Sequence, residues 1–92
     1  MALFGKKKTP QEIAQEANKQ FRASVAQYVT KKITLEQLTQ QFYDVNRTIP
    51  PTYWLDPDFQ VIILDKSGMN INEIAAFSIG NLQATQRMAR ER

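Results

Sequence analysis

The sequence predicts an all-α fold: a small four-helix domain with an extended, proline- and aromatic-rich crossover between the second and third helices. Helix-start signatures recur along the chain, at Thr9-Pro10-Gln11-Glu12, Thr34-Leu35-Glu36-Gln37, Asp56-Pro57-Asp58 and Asn70-Ile71-Asn72-Glu73. Apolar residues after them repeat every three or four positions, the helical period. The stretch from Thr48 to Gly68 holds three of the four prolines, the only tryptophan and the run Val61-Ile62-Ile63-Leu64, on which both flanks can close.

A chain of 92 residues makes one domain, here 9–92 after a flexible basic leader, 1–8. The first helix is expected over 10–30. Thr9 caps it, Pro10 suits its first position, and Ile13, Ala17, Phe21, Ser24/Val25 and Tyr28 form its apolar stripe. Lys31 and Lys32 favour its C-terminal end, where exposed carbonyls attract positive charge. The second helix, 35–47, carries Leu35, Leu38, Phe42 and Val45 on one face, and the short connection makes the pair antiparallel. Ile49-Pro50-Pro51 ends it, because a proline drives the preceding residue out of helical geometry. Residues 50–55 then run extended, with Tyr53, Trp54 and Leu55 sealing the bundle.

Phe59 to Leu64 is apolar and rich in β-branched residues, so a buried strand reads as well as a helix. A lone strand leaves its backbone unpaired, which favours a short buried helix over 57–66, closed by Gly68 in a left-handed cap. Apolar residues surround that helix: Phe59, Ile62 and Ile63 on one side, Val61 and Leu64 on another. The fourth helix, 71–88, shows Ile71, Ile74, Ala75, Ser78, Leu82, Thr85 and Met88 at helical spacing. Gly80 lies within it and suits either a close helix crossing or a kink.

Composition narrows the function classes. At 42% hydrophobic and 23% charged, the chain is globular rather than disordered. It has no cysteine and no histidine, which removes disulfides, thiolate chemistry, the commonest general base and the commonest zinc ligand. The carboxylates are scattered over caps and helix surfaces, and no phosphate loop or nucleophile elbow is present. No enzyme, cofactor, metal site or small-molecule substrate is therefore expected. No segment has the apolar length of a membrane span, and no signal peptide is recognisable, so a cytoplasmic protein is expected.

The net charge of +3 is uneven. Residues 1–47 carry eight Lys/Arg against four Asp/Glu, residues 48–80 carry Lys66 against Asp56, Asp58, Asp65 and Glu73, and residues 81–92 carry three arginines against Glu91. Such basic ends can steer an anionic partner or simply solubilise the surface. Pro50-Pro51-Thr52-Tyr53 resembles a WW-domain ligand, but as an element of a folded domain it serves to stop a helix and pack. Asn46-Arg47-Thr48 matches a glycosylation acceptor by chance.

The expected function is a non-enzymatic protein–protein interaction module, an adaptor or regulator that binds another protein or a second copy of itself. Its partner surface is expected at Tyr53, Trp54, Val61 and Leu64, because a helix apolar on all sides needs cover on all sides. The alternative is a nucleic-acid-binding regulator using the third helix, the turn and the fourth helix. Its basic contacts would be Lys6, Lys7, Lys8, Arg87, Arg90 and Arg92.

Overall fold

A computed structural model describes residues 8–91. Residues 1–7 of the expected leader, with Lys6 and Lys7, lie outside these residues, as does Arg92. Four α-helices form among the described residues: α1 (Pro10–Val29), α2 (Leu35–Arg47), α3 (Pro57–Ile63) and α4 (Ile71–Arg90). Reciprocal capping boxes open three of them. Thr9 accepts from the Glu12 amide at 3.2 Å while the Glu12 carboxylate accepts from the Thr9 amide at 2.8 Å. Thr34 pairs with Gln37, and Asn70 with Glu73, in the same way. Asp56 caps α3 by accepting from the Asp58 amide at 2.9 Å.

Three phenylalanines, one from each long helix, make the centre. Phe21 of α1 and Phe42 of α2 stack with centroids 4.2 Å apart, and Phe77 of α4 stands edge-on to both at 5.6 and 5.5 Å. All three are fully buried. Contacts between α2 and α4 advance together, from Thr39–Gln83 to Gln40–Arg87 to Tyr43–Glu91, so these helices run in the same direction. Gly80 lies at their crossing, where an added Cβ would come within 3.3 Å of Leu38 and 3.4 Å of Phe42. The close helix crossing is thus the reason for this glycine.

Three local expectations change. The crossover is not extended: Pro51–Leu55 forms a 3-10 helix. With three residues per turn, Tyr53, Trp54 and Leu55 point in three directions and cannot all face the core. Leu55 is 81% exposed instead of sealing the bundle. Second, α3 stops at Ile63, short of 66. Gly68 does take the left-handed conformation, φ 81°, but it turns the following loop rather than closing the helix.

The third change concerns α4. Its core face is Ala76, Phe77, Gly80 and Ala84, whereas Ile71, Ala75, Ser78, Leu82 and Thr85 lie on the exposed side. Close packing on α2 selects one aromatic and several small residues, a face that a hydrophobicity scan underweights.

Candidate functional site

The 3-10 helix and α3 are tied together through Phe59, which is buried and meets the edges of two aromatic rings. Tyr53 and Trp54 each lie with ring centroids 5.5 Å from it, at interplanar angles of 67° and 81°. The Gln60 side chain donates to the Trp54 carbonyl. Tyr53 and Trp54 are therefore held on one side and half-exposed on the other. This arrangement is helical, not the extended form a WW-type ligand would take.

Seven residues make too short a helix to stand alone, and α1 holds α3 in place. Asn18 of α1 donates to the carbonyls of Ile63 and Asp65 at 3.0 and 2.9 Å, meeting backbone acceptors left open at the end of α3. Arg22 orients it, donating from Nε to Asn18 Oδ1 at 2.7 Å and from a terminal nitrogen to the Asp65 carbonyl at 2.9 Å. The Asp65 carboxylate folds back onto Ser67, accepting from its amide at 3.1 Å and its hydroxyl at 2.9 Å. These two bonds, with a smaller contribution from Arg22, hold its pKa below the ordinary carboxylate range against a weaker opposing effect of burial.

The four residues expected to form one partner surface are divided. Val61 is 71% exposed and lines a cleft of about 620 Å³ with Ile62, Asp65 and the outer face of α1. Leu64 caps α3, half-buried and packed on the core. Trp54 belongs to another cleft, of about 410 Å³, closed by Pro51, Asn46 and the C-terminal half of α4 from Asn81 to Ala89. Asn46 is only 3% exposed, and its Oδ1 accepts no hydrogen bond among the described residues. Its burial also rules out the sugar attachment that the Asn46-Arg47-Thr48 pattern would suggest.

Of the expected basic contacts, Lys8 is paired with Glu16. Arg87 lies 5.2 Å from the centre of the Tyr43 ring and donates to Gln40 at 2.6 Å, while Arg90 is exposed. Tyr43 donates its hydroxyl to Glu91. That bond, helped by burial and by the carboxylate's charge, raises the phenol pKa against the opposing pull of Arg47 and Arg87. The helix-turn-helix expectation meets a seven-residue connection, 64–70, and an α3 whose main contacts are with α1 and the 3-10 helix.

No protein-family model, curated protein or solved structure matches this chain. Among the described residues, no group of three or more Asp/Glu side chains could hold a metal ion, and no helix is long and apolar enough to cross a membrane. Sequence reasoning missed Leu55 and Asn46. Leu55 carries no distinguishing signal, since its exposure follows from the 3-10 geometry. Asn46 had one: it falls on the helical spacing of Leu38, Phe42 and Val45, at the edge of their stripe.

Proposed function

We propose that this protein is a non-enzymatic interaction module, an adaptor or regulator that holds another protein through the apolar surface of its crossover and α3. The observation that carries this reading is the exposure of Leu55 and Val61, 81% and 71%, on the two short elements that also present the free sides of Tyr53 and Trp54. Large apolar and aromatic side chains held rigidly at a surface are the usual anchors of protein interfaces. The non-enzymatic part of the reading draws support from how the carboxylates are used. Asp56, Glu12 and Glu73 cap helices, Asp65 closes a turn and Glu16 pairs with Lys8.

The nucleic-acid alternative has less support, because Lys8 and Arg87 are engaged within the chain. A random peptide library displayed on phage, selected against the full immobilised chain, tests the interaction reading. Apolar-rich peptides are expected, and Leu55→Asp with Val61→Asp should weaken their binding at least tenfold while the thermal midpoint stays put. Failure to select any peptide, or peptides indifferent to the double variant, overturns the reading. Leu64 is unsuitable for this test, because it packs on the core.

A further inference from the structure

The outward face of α4 has the pattern of a helix-pairing seam and lacks a partner within the described chain. Ile71, Ala75, Ser78, Leu82, Thr85 and Ala89 are all exposed, Ile71 by 79% and Leu82 by 52%. They advance in steps of four, three, four, three and four, which keeps them in one narrow arc over about 27 Å of helix. No residue from 74 to 86 carries a charge. An ordinary solvated helix face is populated by charged side chains, so a face of this composition reads as one built for contact.

We propose that α4 pairs antiparallel with α4 of a second copy of this chain, about a two-fold axis at the level of residue 80, on the face turned away from Gly80. This rests on the reading of the protein as an interaction module and names one partner for it. The spacing is self-complementary only in that direction. Residues whose numbers sum to 160 oppose each other, so Ile71 meets Ala89, Leu82 meets Ser78 and Ala75 meets Thr85, each layer joining a larger side chain to a smaller one. A parallel pair would set Ile71 on Ile71 and Ser78 on Ser78, overfilled and underfilled in turn. Small residues allow the close approach that helix packing rewards.

Two further features fit the same partner. Antiparallel pairing brings the half of α4 that holds Glu73 in one copy beside the half that holds Arg87 and Arg90 in the other. It also delivers Ile71 and Asn72 of the second copy to the Ala89 end of the seam. There Thr85 and Ala89 form one wall of the cleft holding Trp54, whose half-exposed indole gives an incoming apolar side chain a surface to pack on.

The chain has no cysteine, so a clean test is available. Sedimentation equilibrium of the full wild-type chain should reach twice the chain mass as concentration rises, and the emission of Trp54, the only tryptophan, should shift with it. Leu82→Glu should weaken dimerisation at least tenfold with unchanged circular dichroism and thermal midpoint, since Leu82 faces solvent in the single chain. Leu55→Asp with Val61→Asp should leave the dimer intact. Mixing Ser78→Cys chains with Leu82→Cys chains under oxidation should give mainly the mixed 78–82 disulfide. A monomer at every concentration, a dimer indifferent to Leu82→Glu, or a predominance of 78–78 and 82–82 disulfides overturns the proposal. If peptides selected on the crossover surface still bind while the wild type is monomeric, the pairing fails and the interaction reading stands. If Leu82→Glu breaks a dimer while no peptide is selected, the pairing stands and the crossover reading fails.

Discussion

Lys31 sits at φ 65° in the turn after α1, a left-handed conformation that glycine adopts far more readily. Its amide bonds to the Tyr28 carbonyl at 3.0 Å and that of Lys32 to Gln27 at 2.8 Å, so the backbone geometry is fixed by the helix end and the side chain bears the strain. Lys31→Gly should therefore stabilise the fold by about 1 kcal/mol, read as a raised midpoint in urea. Asn18 has the opposite sensitivity. Replacing it by Leu removes the donor to the Ile63 and Asp65 carbonyls and should cost about 1–3 kcal/mol. Asp65 adds a pH signature. Its folded pKa is depressed, so its contribution is present above the unfolded pKa and is lost as pH falls through the carboxylate range. The thermal midpoints of wild type and Asp65→Asn should differ at neutral pH and converge below about pH 4.

At the scale of elements, helix starts were legible because each is written in three or four adjacent residues. The caps at Thr9, Thr34, Asp56 and Asn70 all form as the spacing implies. Helix faces were less legible. For α1 and α2 the apolar stripe is the buried one. For α4 most of the visible stripe faces out, Ile74 and Met88 being half-buried, and the buried face depends on Gly80, whose role appears only when α2 is laid beside it. Enlarging that position to valine should cost about 1–3 kcal/mol by overpacking against Leu38 and Phe42, measurable by chemical denaturation. The crossover residues stand out in the sequence, but not how they group in space. That Trp54 and Val61 join different clefts while Leu64 packs on the core follows from the 3-10 turn and the early end of α3, both tertiary outcomes. The tie through Phe59 is equally invisible in sequence. Phe59→Ala should cost about 3–5 kcal/mol and move Trp54 emission toward that of a solvated indole.

The whole molecule sets a compact aromatic centre, Phe21, Phe42 and Phe77, inside a surface that is uncharged over residues 74–86 of α4 and apolar at Leu55 and Val61. Some of its charges are engaged within the chain: Arg22 with Asp65, Lys8 with Glu16, and Arg87 with Gln40 and the Tyr43 ring. Contacts built on such a surface are apolar, and salt does not screen apolar contacts. Binding to nucleic acid releases counterions and weakens steeply with salt. The central claim, association through apolar surface, is therefore tested most directly by the solution mass of the wild-type chain at low and high sodium chloride, with and without a mixed-sequence DNA duplex. The account predicts a mass above that of one chain, maintained or increased at high salt and indifferent to the duplex. A single-chain mass at both salt concentrations, rising only when duplex is added at low salt, would contradict it.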